Sequence, residues 1–166
     1  NSAMAGLLSR SLPQKANIVN AMPIAAQRGL TVEERHEKRV VYVDSIRVEL
    51  ETDAGTTTVE GALVLDKVRL LQVDGIPCEA GLAGHLVYLK NRDVPGVIGH
   101  IGNVLGKNTI NIANFSLGRQ EVGVPGLDPL GAVAIVETDV VVTTALLESL
   151  KEHKAVLVAR SVELPR

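Results

Sequence analysis

The chain has 166 residues, with 17 Lys and Arg against 19 Asp and Glu, and 46% of its residues are hydrophobic. This hydrophobic content is enough to bury a core, whereas the balanced charge gives no overall field that would concentrate nucleic acid or an anionic membrane. The single cysteine, Cys78, excludes an internal disulfide, and no Cys/His spacing resembles a metal site, so we expect a cytoplasmic protein without a metal.

From the given sequence we expect neither a signal peptide nor a membrane-spanning helix. No charged-then-hydrophobic leader is present, and no apolar run approaches the roughly 20 residues that a membrane-spanning helix needs. We therefore expect no membrane partner. Residues 1–3, which precede Met4, are interpreted as a remnant of expression and are set aside from the fold prediction.

The first half of the chain predicts a short helix followed by an antiparallel meander. Residues 20–29 place apolar side chains at helical spacing and end in a glycine, which is typical of a helix cap. Residues 45–52 alternate apolar and charged side chains, the pattern of a strand with one wet face. Two further β-rich runs follow at 56–65 and 68–75.

Pro77, Gly81 and Gly84 then interrupt the strand pattern and mark a predicted domain boundary, which divides the chain into residues 1–84 and 85–166. Beyond the boundary the predicted order is strand, helix, strand, strand, helix, strand. These elements fall at 85–90, 95–106, 110–117, 132–138, around Leu146, Leu147 and Leu150, and at 155–162. The βαββαβ order predicts a four-stranded antiparallel sheet with both helices on one face, and its other face needs a cover from a neighbouring domain or a second copy.

The stretch NRDVPGVIGHIG, which begins at Asn91, predicts a polar turn before the first of these helices. Pro95 suits the first helical position, which places Val94 at the N-cap, where valine offers no side-chain acceptor. The early amides from Gly96 onward would then present partial positive charge, suited to a carboxylate. Asp93 and the amide side chains of Asn91 and Asn111 add groups for an ammonium ion, so the set describes a zwitterion site.

Two other interpretations compete for these residues. In a purely structural one, Asp93 hydrogen-bonds the free amides itself and Asn111 satisfies an edge backbone group. In the second, VIGHIG resembles the GxxG loop with which KH domains clamp a nucleic-acid backbone. Against the KH alternative, the chain lacks a basic face, has few aromatic residues, and places Ile101 on the apolar helical stripe.

Residues 85–164 resemble an ACT domain, a small ligand-sensing module of amino-acid metabolism, through NRDVPGVIGHIG, INIANFSLGR and the βαββαβ order. With NIVNAMPIAAQRGLTVEE, YVDSIRVELET and LLQVDGIPCEAGLAGH, the chain resembles the C-terminal regulatory part of bacterial D-3-phosphoglycerate dehydrogenases. In that family an allosteric substrate-binding (ASB) domain precedes the ACT domain. The resemblance implies an α+β fold with an ASB-type antiparallel sheet at 1–84 and a ferredoxin-like ACT domain at 85–166.

The resemblance also implies a ligand. ACT domains of this family pair side by side and bind L-serine between subunits, so it implies a homodimer, and possibly a tetramer in the parent enzyme. By motif position the effector-binding residues would be Asn91, Asp93, Val94, Gly96 and Asn111. Arg69 falls where some members carry a basic effector-binding residue of the ASB domain, whereas Arg119 is interpreted as a solvated loop charge. The loop 118–132 is longer than is usual in the family, and its residues 124–129 have no assigned role.

We predict no catalytic residues and no cofactor in this chain, because no G-x-G-x-x-G follows a strand and no nucleophile–base set stands out. The resemblance implies a parent enzyme that oxidises 3-phosphoglycerate with NAD. Two alternatives stay open: an oligomerisation module without serine sensing, and the ASB–ACT region of an L-serine dehydratase.

Overall fold

The computed structural model describes residues 2–11, 16–36, 44–121, 128 and 130–165. The chain divides into two compact units, residues 1–41 and 42–166. Within the described residues there are four helices and eight strands: α1 (Ser2–Ser11), α2 (Ala21–Gln27), β1 (Ser45–Thr52), β2 (Gly55–Val64), β3 (Lys67–Val73), β4 (Ile76–Gly81), β5 (Gly84–Arg92), α3 (Val97–Lys107), β6 (Ile112–Arg119), β7 (Gly131–Thr138), α4 (Thr144–Lys151) and β8 (Val156–Leu164). None of the described helices combines the length and the apolar character needed to cross a bilayer.

The first unit contains the helix pair α1 and α2, whose buried contacts are made by Ala5, Leu8, Ala21 and Ala25. The prediction of α2 is confirmed, and Gly29 closes it at a φ of 73°. The amides of Gly29 and Leu30 donate to carbonyls of the last helical turn, as expected for a Schellman cap. Helix α1 was not predicted, and it includes residues 2 and 3, which the sequence analysis set aside.

The second unit opens with an antiparallel sheet of order β1-β2-β3-β4. The predicted three-stranded meander is present, but β4 was missed because Pro77 was taken as a break. Pro77 is tolerated because β4 pairs with β3 alone within this sheet, so its missing N–H interrupts no second ladder. The predicted dry face of β1 is also wrong, since Ile46 is 72% exposed and the strand is exposed along almost all its length.

The second sheet confirms the predicted βαββαβ order and the α+β fold class. Its strand order is β6-β7-β5-β8 with all neighbours antiparallel. Helices α3 and α4 cover one face, where Ile101, Leu105 and Leu150 pack on Leu89 and Val136 of the two central strands. Burial of these side chains contributes about 1.5–3 kcal/mol each and fixes the start of α3 beside the end of β5.

The opposite face of the second sheet is covered by the first sheet. Leu86, Val133 and Ile135 share a buried cluster with Leu70 and Cys78 of β3 and β4. Of the two covers that the sequence left open, the structure therefore uses the neighbouring sheet. Both sheets lie in one compact unit, residues 42–166. The predicted domain boundary at residue 84 therefore has no counterpart in the division into compact units, and it stays a prediction.

Two local contacts tie the sheets together. Lys90 on β5 donates to the Asp74 carboxylate in the turn between β3 and β4, with a distance of 3.1 Å from Nζ to Oδ2. Gly118 of β6 lies directly under β4, where a Cβ atom at this position would be 2.1 Å from the Pro77 carbonyl oxygen. A residue without a side chain is therefore required where β6 crosses β4.

The glycines of α3 have a different environment from the one considered at the sequence level. Gly99, Gly102 and Gly106 have no atom within 4 Å of the place that a Cβ would occupy, so they do not bring the helix close to the sheet. Gly99 and Gly102 lie inside α3 rather than in a loop, and the intervening Ile101 is fully buried. The KH interpretation of VIGHIG is therefore wrong.

Candidate functional site

The polar turn between β5 and α3 is two residues longer than predicted. Pro95 and Gly96 form a turn, and the N-cap of α3 is Gly96 rather than Val94. Gly96 adopts a φ of 96°, a left-handed conformation that strongly favours glycine, and this explains why the helix cannot begin at Pro95. Since Gly96 provides no side-chain cap, the consequence drawn from the sequence holds at the shifted position: the first amides, from Val97, lack a side-chain acceptor from the N-cap.

Asp93 does not serve as a substitute cap. Its carboxylate pairs with Arg119, at 3.0 Å between Oδ2 and Nε, and its backbone amide donates to the Leu130 carbonyl at 2.6 Å. Within the described part of the chain the Asp93 side chain makes no hydrogen bond to the amides of α3. The structural alternative in which Asp93 satisfies the helix start is therefore not what the structure contains.

Asn91 at the end of β5 is the buried polar residue of this turn, with 2% of its surface exposed. Its Nδ2 donates to the Arg92 carbonyl at 3.0 Å. Its Oδ1 is buried, and no group among the described residues hydrogen-bonds to it. An unsatisfied buried acceptor costs about 1–3 kcal/mol, so this oxygen is the clearest indication of an absent donor at the site.

These groups border a surface cavity of about 340 Å³. Its lining combines the polar turn, the first residues of α3 and the end of β6: Asn91, Asp93, Val94, Pro95, Gly96, Val97, Ile98, Leu117 and Arg119. This volume is at the small end of the roughly 300–1,000 Å³ that is usual for small-molecule pockets. The cavity thus offers a carboxylate, a guanidinium and a helix N-terminus to a small polar ligand, and it is bordered by Asn91, whose unpaired Oδ1 is itself buried.

The structure brings four of the five predicted ACT site residues to this cavity: Asn91, Asp93, Val94 and Gly96. Asn111 does not line it. Asn111 lies just before β6, has an exposed side chain, and uses its carbonyl to accept from the Asp139 amide at 3.4 Å. Within one chain, therefore, the predicted set is incomplete.

Arg69, the predicted ASB residue, lies on β3 and is separate from the cavity. Its nearest charged partner among the described residues is Glu79 on β4, at 3.7 Å. Its guanidinium also lies 3.6 Å from the place that a Cβ on Gly81 would occupy.

Arg119 is the site residue that sequence reasoning missed. Interpreted as a solvated loop charge, it instead ends β6, lines the cavity and pairs with Asp93. The long loop also acquires a partial role, because Asp128 accepts from Arg92 Nε at 3.2 Å and from the Leu130 amide at 3.0 Å. The two ion pairs, Arg92 with Asp128 and Asp93 with Arg119, join residues that are distant in sequence, so no local pattern indicated them.

A comparison with protein families finds a match over residues 1–74 to the D-3-phosphoglycerate dehydrogenase intervening domain. Residues 1–74, which are less than half of the chain, are thus similar to this domain. The match includes the first residues of the chain, where α1 begins. The ACT assignment of residues 85–166 stays a prediction at the family level, although the βαββαβ order that it implies is confirmed.

Curated relatives extend the similarity to D-3-phosphoglycerate dehydrogenase beyond this domain. The enzyme of Bacillus subtilis (strain 168) is 34% identical over 122 residues, which are 72% of this chain and 23% of the relative. That of Methanocaldococcus jannaschii is 34% identical over 147 residues, or 89% of this chain and 27% of the relative. That of Archaeoglobus fulgidus is 29% identical over 160 residues, or 96% of this chain and 30% of the relative. The chain therefore spans less than a third of each of these D-3-phosphoglycerate dehydrogenases.

Proposed function

We propose that this chain is a regulatory region of a D-3-phosphoglycerate dehydrogenase, and that its ACT-like half binds L-serine as an end-product effector. The observation that carries the proposal is the buried, unpaired Asn91 oxygen beside Asp93 and an uncapped helix start, all on one small cavity. The relatives support the parent enzyme, since they bear its name over the region that this chain matches.

The chemistry of the cavity suits an α-amino acid. The Asp93 carboxylate and Asn91 Oδ1 are acceptors for an ammonium or hydroxyl group, and the first amides of α3 are donors for a carboxylate. Serine has all three of these groups within a few bonds. Its size is compatible with a cavity of about 340 Å³.

Binding between two copies supplies the missing member of the set. Asn111 is exposed and does not reach the cavity of its own chain, so in this proposal it reaches the cavity of a second copy in a homodimer. Serine that contacts both copies would favour one relative orientation of the two. Such a preference is a coupling free energy, typically about 1–3 kcal/mol, which the first sheet would transmit to the rest of the enzyme.

Catalysis belongs to other parts of the proposed parent. No G-x-G-x-x-G occurs in the chain, so its residues do not fit a dinucleotide, and NAD would be held by a part of the dehydrogenase that this chain does not include. The alternative of an L-serine dehydratase gains no support from the three relatives, all of which bear the dehydrogenase name.

Isothermal titration calorimetry of the 166-residue chain with L-serine tests the proposal, with D-serine as the stereochemical control. We expect heat from L-serine alone, lost in Asp93→Asn and retained in Asp128→Asn. The two variants are matched, because each removes one carboxylate charge from an ion pair with an arginine, at 3.0 Å and 3.2 Å respectively, and Asp128 does not line the cavity. Absence of heat from the unaltered chain at millimolar L-serine would contradict the proposal.

The oligomerisation alternative predicts a different result. Sedimentation would then show a dimer whose association constant is unchanged by L-serine. The unaltered chain would bind no L-serine, so Asn111→Ala would change no ligand affinity. In the serine-sensing proposal, L-serine strengthens dimerisation and Asn111→Ala weakens serine binding by about tenfold, because one hydrogen bond to a charged group is lost.

A further inference from the structure

The cavity contains one charged group that the proposed serine site has not yet used. Arg119 Nε lies 3.0 Å from Asp93 Oδ2 in an ion pair, and the described residues provide no partner for the two terminal nitrogens of its guanidinium. The side chain is 67% exposed, and Asp93 is its ion-pair partner among the described residues. A guanidinium presents five donors in a planar fork that matches a carboxylate.

Hydrogen-bond acceptors and donors therefore lie on different sides of the cavity. Asn91 Oδ1 and the Asp93 carboxylate are acceptors at the end of β5, whereas Arg119 provides donors at the end of β6. The buried Asn91 oxygen is an independent indication that a donor from a ligand is absent, because no described group of the protein satisfies it. A ligand that satisfies both sides needs a positive group and a negative group in one small molecule.

We infer that Arg119 is an effector-binding residue that contacts the α-carboxylate, so that the Asp93–Arg119 pair selects zwitterionic α-amino acids over amines and amides of the same shape. The ligand's ammonium group takes the place of Arg119 on Asp93, and its carboxylate takes the place of Asp93 on Arg119. The exchange replaces one ion pair by two, and a donor from the ligand would satisfy the unpaired acceptor on Asn91. This inference rests on the proposed function of the cavity.

A ligand that carries only one of the two charges gains less from the same exchange. L-Serinamide retains the ammonium and hydroxyl groups but replaces the carboxylate by a neutral amide. It would separate Arg119 from Asp93 without giving the guanidinium a new anion. The affinity ratio of L-serine to L-serinamide therefore isolates the contribution of Arg119.

Calorimetry of both ligands with the unaltered chain and with Arg119→Gln provides the test. We expect the unaltered chain to prefer L-serine by about tenfold or more, as for hydrogen bonds to a charged group. In Arg119→Gln this preference should fall to about twofold, through weaker binding of L-serine, while L-serinamide stays within about threefold of its original affinity. Arg119→Lys, which keeps the charge but loses the fork, should give an intermediate preference.

Arg92→Gln is the matched control, because Arg92 also forms an arginine–aspartate pair at this turn but does not line the cavity. It should keep the full preference for L-serine. Arg119→Gln is expected to fold, since the side chain is mostly exposed, and its thermal unfolding checks this.

The outcomes separate the two ideas. If the unaltered chain binds L-serine but Arg119→Gln keeps its preference over L-serinamide, the role of Arg119 is wrong and the serine site stands. If Arg119→Gln weakens both ligands equally while remaining folded, Arg119 shapes the cavity without reading the carboxylate, and the inference is again overturned. If the unaltered chain binds neither ligand, the proposed function itself fails.

Discussion

Asn91 combines burial with an unused hydrogen-bonding atom, and this combination separates the proposed ligand binding from stability at one position. The amide nitrogen gains one internal hydrogen bond, worth about 1 kcal/mol, while the unpaired oxygen costs about 1–3 kcal/mol. The two contributions oppose each other. A side chain of the same size without polar atoms loses both, so the folded state gains little from asparagine at this position in the absence of ligand.

We therefore predict that Asn91→Leu changes the free energy of unfolding by no more than about 1 kcal/mol, but abolishes the response to L-serine. Denaturant unfolding measures the first quantity and calorimetry the second. Leu89→Ala, two residues earlier on the same strand and fully buried, is the control for sensitivity and should cost about 2–5 kcal/mol. A loss of more than about 2 kcal/mol in Asn91→Leu would mean that Asn91 is retained for the fold.

The partly buried Tyr88 makes the stability of the fold depend on pH in the alkaline range. Burial raises the pKa of the Tyr88 hydroxyl to about 12, and the negative charge of Asp74 adds to the increase. Since the unfolded chain releases this proton near pH 10, the stabilising effect is complete below that pH and is lost as the pH rises towards 12. We expect the free energy of unfolding to fall over this interval, and Tyr88→Phe to remove the tyrosine contribution to the fall.

Absorbance at 295 nm during alkaline titration checks this prediction, because it reports phenolate formation directly. The second tyrosine of the chain, Tyr42, would remain as the internal reference in Tyr88→Phe. An ordinary titration of Tyr88 near pH 10 in the folded protein would contradict the assignment.

Single residues also mark the limit of what the sequence predicts. Asn91, Asp93 and Gly96 were identified because they adjoin one another in a turn whose composition is distinctive. Arg119 was not, because its proximity to Asp93 depends on how the ends of β5, β6 and β7 lie beside one another. Local pattern carries no information on such a contact. The shift of the N-cap from Val94 to Gly96 was missed for a related reason, since a positive φ at Gly96 becomes visible only in the folded chain.

At the scale of whole elements, β6 borders the cavity with some of its residues and contacts β4 with another. Leu117 and Arg119 line the cavity, whereas Gly118 between them lies against Pro77 and Cys78 of β4. The strand that forms one wall of the candidate site is thus also the strand on which the first sheet rests. Any substitution at Gly118 places atoms between the two sheets.

We predict that Gly118→Ala lowers the free energy of unfolding by about 3 kcal/mol, since its Cβ would lie 2.1 Å from a backbone oxygen and 2.9 Å from the Cys78 Cβ. Gly99→Ala is the matched control: it is exposed in the first turns of α3 with open space around it, and should raise the free energy of unfolding by about 0.5–1 kcal/mol. Urea denaturation of both variants measures the difference. Equal effects of the two substitutions would contradict the contact between β4 and β6.

The elements most accurately predicted were those with a strong period and clear ends, such as α2 with its glycine cap and the six elements of the βαββαβ half. Strand β4 was missed although Ile76, Cys78 and Ala80 alternate as buried residues, because a proline usually argues against a strand. Its position beside a single partner strand, which makes the proline acceptable, is a property of the sheet and not of the segment.

On the scale of the whole molecule, the two sheets of the second unit differ in how far their described side chains are buried. The second sheet lies between its two helices and the first sheet, which accounts for its continuous buried runs along β5 and β7. The first sheet packs mainly through β3 and β4, and β1 keeps apolar side chains such as Ile46 exposed. Sequence alternation identified β1 as a strand but could not say whether either face would be covered.

The rate at which the Cys78 thiol is modified reports how often the two sheets separate. The thiol is buried in the cluster that they share, and burial raises its pKa, so the reactive thiolate is scarce while the sheets remain together. We expect a thiol reagent to modify the native chain far more slowly than the urea-unfolded chain, and Gly118→Ala to accelerate the native reaction. Because the chain has no other cysteine, each modified molecule records one occasion on which the two sheets parted.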